Sequence, residues 1–343
     1  MLYITTREKN DHFTAYRTLC NEYGPDGGLY IPFQKIKFSS DEIAQLKEKS
    51  FGQCTADILN TFFSARLDAW DVDFCIGRYP VKLVPMSHKI IVGETWNNPE
   101  WDFRRMVRNL HGRILGASDT NGSPSEWTWI AVRIAVLFGL FSELYRTGVA
   151  LPENTIDIAV SAGDFSAPIA VWYAREMGLP VGTITFACGD NSSIWDLLNH
   201  GELTINNKPA TAVGNGVPKS LERLIYACFG SVEAVRFADT LKYGGTYTIS
   251  EDQVKELRKG IFCAVVSEKR TESVIRSIYR TNTYLLSPES ALAYGGLQDY
   301  RATNNETGLA LILTEKGPLT ATEAVAAAIG IAPDDLKARV RAV

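Results

Sequence analysis

Apolar residues near the N-terminus recur at three- and four-residue steps. Phe13, Tyr16, Cys20 and Tyr23 share one helical face, and Asp11 stands where it can cap that helix. Gly24-Pro25-Asp26-Gly27-Gly28 stops the helix, and Leu29-Tyr30-Ile31-Pro32 reads as a short extended piece. Helical spacing returns at 41–49 and 55–67, completing a mixed α+β segment over residues 1–85. From about Val84 the pattern becomes strands alternating with helices. That argues an α/β domain over residues 86–343: an open, twisted, mainly parallel sheet with helices on both faces.

The clearest unit runs from Ile156 to Asn191. An apolar run, Ile156 to Val160, meets a small-residue loop, Ser161-Ala162-Gly163-Asp164-Phe165-Ser166. A helical run from Ala167 to Met177 follows, closed by Gly178-Leu179-Pro180, and then a second apolar run from Val181 to Ala187. This is the order of a βαβ unit. A loop of this kind aims free backbone N–H groups at a helix start, where an anion can bind. Asp164 carries a charge that competes for the same donors. As a helix cap it would occupy the site itself.

Other punctuation is consistent with this layout. Gly116 to Glu126 is dense in turn residues and reads as a connector. Trp127 to Leu144 is the most apolar segment. Arg133 and Glu143 interrupt it, so a buried helix is expected rather than a membrane span, with a carboxylate partner for Arg133. Ile261–Val266 and Leu309–Leu313 read as strands. Ser267 caps one later helix, and Ser287-Pro288 begins another. Thr320 and Glu323 form a capping-box pattern before a helix that Gly330 ends.

Composition narrows the function. With 45% hydrophobic and 22% charged residues the chain reads as soluble and globular, and a net charge of −4 argues against nucleic acid as a partner. The six cysteines are scattered without a Cys-x-x-Cys pair, and the four histidines lack metal-ligand spacing, so reduced thiols and no zinc site are expected. The opening Met1-Leu2-Tyr3-Ile4-Thr5-Thr6-Arg7 has no secretory apolar region, and a cytoplasmic location is expected.

Several segments, taken in order, resemble threonine synthase, a pyridoxal-phosphate (PLP) enzyme of the tryptophan-synthase-β fold type (PLP fold type II). Tyr3-Ile4-Thr5-Thr6-Arg7 and Pro25-Asp26-Gly27-Gly28-Leu29-Tyr30-Ile31-Pro32 are similar to the family's N-terminal signature. Ser161 to Pro180 resembles its phosphate-binding loop and the helix after it. Ser220-Leu221-Glu222-Arg223-Leu224 resembles a Ser-Asn-x-Glu-Arg segment. Ser287-Pro288-Glu289-Ser290-Ala291 and Leu311-Ile312-Leu313-Thr314 fall where the family has late motifs.

Three departures bear on what the resemblance implies. The family's His-Gly-Pro-Thr-Leu-Ala-Phe-Lys-Asp motif supplies the Schiff-base lysine. The matching stretch here is Asn97-Asn98-Pro99-Glu100-Trp101-Asp102-Phe103-Arg104-Arg105, with Arg104 at the lysine position. A guanidinium stays protonated and cannot form that bond, although it can hold an anion bidentately. The family loop Gly-Asn-Phe-Gly-Asn is here Gly163-Asp164-Phe165-Ser166-Ala167. The family's Thr-Ser-Gly-Asp-Thr-Gly motif opens a small mobile domain. Here Gly116-Ala117-Ser118-Asp119-Thr120 leads almost at once to Trp127, so that domain is largely absent.

The resulting expectation is a threonine-synthase-like protein that has lost PLP catalysis and binds a ligand or a partner. No cofactor is expected. The expected ligand is small and zwitterionic or anionic, bound by Asn97, Asn98, Arg104, Ser161, Gly163, Asp164, Phe165, Ser166 and Thr314. A homo-oligomer or protein partner is also expected, because removing a domain exposes apolar surface. Arg104, Arg108 and His111 share one helical face, with Arg105 and Arg113 nearby, as an anion stripe or a solvated face. Trp96, Trp101, Trp127 and Trp129 fill core space or stack a ligand. The alternatives are PLP-independent chemistry on an anionic amino-acid-like substrate, with Asp164 or Asp102 as base, and a PLP-dependent lyase using another lysine such as Lys89.

Overall fold

The computed structural model describes residues 1–8, 10–77, 81–96, 103–116, 122–163, 165–190, 192–205 and 217–341. Its N-terminal segment opens with strand β1 (Leu2–Thr5), flanked by β2 (Phe13–Thr14) and β3 (Tyr30–Pro32) in an antiparallel sheet of order β2-β1-β3. The first helix, α1 (Ala15–Cys20), is shorter than its spacing predicts. Residues 13 and 14 pair with Tyr3 and Leu2, so Thr14 rather than Asp11 caps it. Tertiary pairing wins because Phe13 is buried edge-on against Tyr30.

Three helices follow. Ser39 and Glu42 form a capping box for α2 (Ser40–Ala44), which tightens into a 3-10 turn at Gln45–Glu48. Ser50 caps α3 (Phe51–Phe63), so this helix begins four residues before the spacing suggests. Asp68 and Asp71 box the start of α4 (Ala69–Ile76).

The chain then builds the main sheet. Strands β4 (Lys82–Met86) and β5 (Ile90–Glu94) form a hairpin, so residue 85, the expected segment boundary, lies inside a strand. Helices α5 (Phe103–Leu115) and α6 (Glu126–Arg146) precede the βαβ unit read from sequence: β6 (Ile156–Ser161), α7 (Ser166–Glu176) and β7 (Val181–Cys188). Next come α8 (Ser193–His200) and a small antiparallel pair, β8 (Glu202–Ile205) and β9 (Gly245–Thr248). Helices α9 (Leu221–Phe229) and α10 (Ser231–Tyr243) lie between those two strands in sequence. The last part comprises α11 (Glu251–Leu257), β10 (Ile261–Val265), α12 (Glu268–Asn282), α13 (Pro288–Asn304), β11 (Ala310–Thr314), α14 (Thr322–Ile329) and α15 (Pro333–Arg341).

Six strands form one open sheet in the order β10-β7-β6-β11-β5-β4, parallel except for β4. Side chains alternate between its two faces, as pleating requires. Ile91, Ile158, Val160, Leu311 and Leu313 join a core with α3, α6 and α7. Ile90, Val92, Ala159, Ala310 and Ile312 join a second core with α12, α13 and α14. Helices therefore cover both faces, as the alternating pattern predicted.

Among the described residues α6 is the one helix long and apolar enough to cross a bilayer, and 89% of that stretch is buried inside the fold. Gly139 lets α3 lie close: a Cβ there would stand 2.7 Å from both Phe51 and Thr55. Gly178, with φ +107°, turns the chain out of α7 where a Cβ would meet the Phe38 carbonyl oxygen at 2.6 Å.

Ser267 and Ser287 cap α12 and α13, with Pro288 in the first turn of α13, and Gly330 ends α14 in the left-handed region. The expected Thr320–Glu323 capping box does not form. Pro318 starts a 3-10 turn over Pro318–Ala321, and the Thr320 hydroxyl donates back to the Gly317 carbonyl at 2.7 Å. Thr322 therefore opens α14 without a side-chain cap.

The segments at 3–7, 25–32 and 220–224 are brought together as a clasp. Thr5 Oγ1 donates to Asp26 Oδ2 at 2.5 Å, while Asp26 Oδ1 accepts from the Gly28 N–H at 3.0 Å. Glu222 accepts from Thr6 Oγ1 at 2.5 Å and from Arg7 Nε and Nη2 at 3.1 and 3.0 Å. Arg223, wholly buried, donates to the Tyr30 carbonyl at 3.2 Å, to Ser220 Oγ at 3.0 Å and to Glu126 Oε2 at 2.6 Å. Adjacent residues of α9 thus fasten the N-terminal sheet and the start of α6.

Candidate functional site

A cavity of about 660 Å³ opens at the C-terminal ends of the parallel strands, lined there by Val160 and Ser161 of β6 and by Leu313 of β11. Open α/β sheets bind ligands at this edge. Four helices begin on the cavity among the described residues: α5 through Phe103 and Arg104, α6 through Glu126, α7 through Ser166 and Ala167, and α13 through Glu289 and Ser290. Side chains close two of these starts. Ser125 Oγ accepts from the Thr128 N–H, the Glu126 N–H donates to Glu22, and Ser287 Oγ accepts from the Ser290 N–H. The cap position of α7 is Phe165, at φ +61° and without a side-chain cap hydrogen bond. Its ring packs edge-on against Phe186, 5.3 Å between centroids.

Among the described residues, four carboxylates and four cations line the cavity: Glu22, Glu126, Glu289 and Glu315 with Arg104, Arg133, Lys219 and Lys316. Arg133 meets Glu315 bidentately, Nε to Oε1 at 2.5 Å and Nη2 to Oε2 at 2.7 Å, and stacks over Phe103 and Trp129. This is the carboxylate partner its apolar helix called for. Lys219 pairs with Glu22 at 3.2 Å, Lys316 with Glu289 at 2.5 Å, and Glu126 is held from behind by Arg223. Arg104, exposed in the first turn of α5, makes no ion pair among the described residues. Its guanidinium is the cavity's uncommitted positive charge among them.

Of the residues expected at the site, Arg104, Ser161, Gly163 and Ser166 line this cavity. Asn97, Asn98, Asp102 and Asp164 lie outside the described residues, as do Trp101 and residues 117–121 of the connector. Two expectations are corrected. Phe165 is buried behind the wall. Thr314 is also buried, because strand alternation turns it away: its hydroxyl donates to the Gly93 carbonyl at 3.0 Å and accepts from Trp96 Nε1 at 3.2 Å. The arginine stripe breaks too. Arg104 and Arg108 are exposed, but His111 is buried, its Nδ1 lacks a hydrogen-bond partner, and burial lowers its pKa.

Lys89 sits at the opposite end of the sheet, where its carbonyl accepts from the Ala310 N–H. Four residues of β5 separate it from the cavity edge, roughly 13 Å of strand. Glu22, Glu126, Lys219, Glu289, Glu315 and Lys316 were not singled out from the sequence as site residues. Glu315-Lys316 had a usable signal, since both follow directly after a parallel strand. Behind this edge, Glu94 ends β5 in a buried position and accepts a hydrogen bond from the Tyr284 hydroxyl; burial raises its pKa.

The sheet order, the helices on both faces and the polar cavity at the strand ends define an α/β protein with the architecture of PLP fold type II. Its architecture superposes on a PLP-bound threonine synthase from Brucella melitensis with a TM-score of 0.82, at 19% identity, covering 96% of this chain and 92% of that one. Threonine synthase from yeast gives 0.80 at 15% identity, covering 100% and 94%. In sequence, residues 2–78 match the family described as threonine synthase N terminus. The chain is 25% identical to threonine synthase of Pseudomonas aeruginosa over 180 residues, 51% of this chain and 37% of that protein. It is 22% identical to the Schizosaccharomyces pombe threonine synthase over 275 residues, 70% and 51% respectively. The chain is thus similar to threonine synthases in its N-terminal segment, in sequence over half or more of its length, and in fold. In these sequence matches it spans about half the length of its curated relatives, or less.

Proposed function

We propose that this protein binds a small zwitterionic or anionic, amino-acid-like molecule in the cavity and does not run PLP chemistry there. The observation that carries the reading is the charge pattern. Among the described residues, three of the four lining cations already hold carboxylates, and Arg104 is left to take a ligand carboxylate. The paired acids and bases around it suit a molecule carrying both signs.

The fit to PLP is divided. Ser161, Gly163 and Ser166, gathered at the start of α7, are small and polar enough to suit a phosphate. The aldehyde end requires a neutral primary amine. The two lining lysines, Lys219 and Lys316, each hold a carboxylate, and the family's lysine position carries Arg104. These residues do not fit the Schiff base. The test is calorimetric titration with a panel of amino acids and their phosphorylated derivatives. One or more should bind at micromolar to millimolar affinity, and Arg104→Ala should weaken that binding at least tenfold. Unchanged affinity in the variant excludes the anchor.

A second reading keeps a PLP-dependent lyase with another lysine. It is favoured by the presence of Lys219 and Lys316 in the cavity wall rather than Lys89. Added PLP followed by borohydride decides between them: the ligand-binding reading expects no aldimine absorbance and no stoichiometric label, whereas a label on Lys219 or Lys316 would establish the lyase-type linkage.

A further inference from the structure

We propose that Cys188 and Cys263 are a redox-active thiol pair that closes to a disulfide when a small-molecule disulfide is supplied. Their sulfurs lie 3.7 Å apart on adjacent strands, both residues are buried, and this is the only sulfur–sulfur contact among the described residues. Cys188 is the last residue of β7 and is followed by exposed Gly189 and Asp190, whereas Cys263 is in the middle of β10. Exposure does not separate the two, 3% for Cys188 and 5% for Cys263, but the exposed turn beside Cys188 gives a reagent an approach to it. The hydrogen bond with Cys263 also lowers the Cys188 pKa, which favours it as the attacking thiolate.

The strand register sets how the pair can close. Cys188 lies opposite Val265 and Cys263 opposite Phe186, so the two are diagonal neighbours. One strand across and two residues along gives roughly 8 Å between Cα atoms. Bridged cysteines usually sit at about 4.4–6.8 Å. β10 is, among the described residues, the terminal strand of the sheet with only β7 beside it, so closure strains one hydrogen-bonded ladder rather than two. A bond formed this way is of the readily reduced kind. The same end of β7 carries the cavity loop, because the Ala162 N–H donates to the Ala187 carbonyl at 2.8 Å.

The chemistry balances with a glutathione-type disulfide as oxidant. The Cys188 thiolate attacks one of its sulfurs, forming a mixed disulfide and releasing one thiol. Cys263 gives its proton to solvent and attacks the Cys188 sulfur, forming the protein disulfide and releasing the second thiol. The two protein thiols are oxidised and the reagent is reduced.

The test uses the folded full chain with Cys20→Ser, because Cys20 is exposed and would be capped on its own. After incubation with oxidised glutathione, free thiols are alkylated and non-reduced peptides are mapped by mass spectrometry. The expected result is the loss of two thiols and a Cys188–Cys263 linked peptide that dithiothreitol reverses. Added Cys263→Ser should trap glutathione on Cys188, and added Cys188→Ser should leave Cys263 unmodified. Cys→Ala versions replace any serine variant that does not fold. Full retention of both thiols under strongly oxidising ratios, or linkage of a different pair, overturns the proposal.

Discussion

Glu222→Gln tests the clasp most directly. The Glu222 carboxylate is 3% exposed and accepts three hydrogen bonds, two of them from Arg7, whose side chain is 29% exposed. Glutamine retains one acceptor oxygen and turns an N–H₂ group toward donors that already point inward. Hydrogen bonds to charged groups contribute about 1.5–3 kcal/mol each, and breaking a buried pair costs about 3–5 kcal/mol. Arg7 can regain water on its exposed side, which places the loss at the lower end, about 3 kcal/mol. At 2–4 °C per kcal/mol for a protein of this size class, the melting temperature should fall on the order of 6 °C. Urea and thermal melts of Glu222→Gln, Arg7→Met and the double variant complete a double-mutant cycle. A coupling of about 1 kcal/mol or more is expected between residues in direct contact. A single-variant loss below about 0.5 kcal/mol, with no coupling, would show that the contact closes the gap between sheet and helix without stabilising it.

Gly139→Ala should destabilise by about 1–3 kcal/mol despite alanine's better helix propensity, because Phe51 and Thr55 occupy the space; a neutral or stabilising result in urea melts would mean that α3 yields easily. Glu94 gives a pH signature. Burial raises its pKa, so the native state takes up a proton more readily than the unfolded chain. That contribution is fully present below the unfolded pKa and is lost as pH rises through the raised one. Glu94→Gln, always neutral and still able to accept from Tyr284, should therefore gain stability over the parent near pH 7, with the gain shrinking toward pH 4; an advantage that grows in acid contradicts this sign. Arg104→Ala should leave the melting temperature within about 1 °C of the parent while abolishing ligand-induced stabilisation, as expected of an exposed surface residue. A large thermal shift in the absence of ligand would give Arg104 a structural role instead.

The fold was legible where periodicity and punctuation agreed. The βαβ unit from Ile156 to Ala187, the buried α6, and the caps at Ser267 and Ser287 all fall within a residue or two of the pattern. It was less legible where a distant contact overrides a local preference. The pairing of Phe13 with Tyr3 converts the start of an apparent helix into strand, and Pro318 takes up Thr320 in a turn. The candidate site was half legible. Ser161, Gly163, Ser166 and Arg104 carry signals in loop composition and resemblance, and the cavity includes them. The ion pairs that set its charge join residues far apart in the chain, such as Arg133 with Glu315 and Lys219 with Glu22, and no local pattern announces them. Thr314 was misread because an apolar strand buried on both faces offers no alternation from which to infer direction.

The antiparallel strand β4 bounds one side of the main sheet. Pro85 sits within it, opposite Ile91, and has no N–H to offer a further strand. Lys82, exposed at its start, adds a charge that a sixth-to-seventh strand junction would have to bury. This border therefore resists templated growth, the route by which sheets in crowded solution recruit extended segments from unfolded chains. One imino acid and one lysine thus disfavour edge-to-edge pairing along this side, independently of how tightly the core is packed.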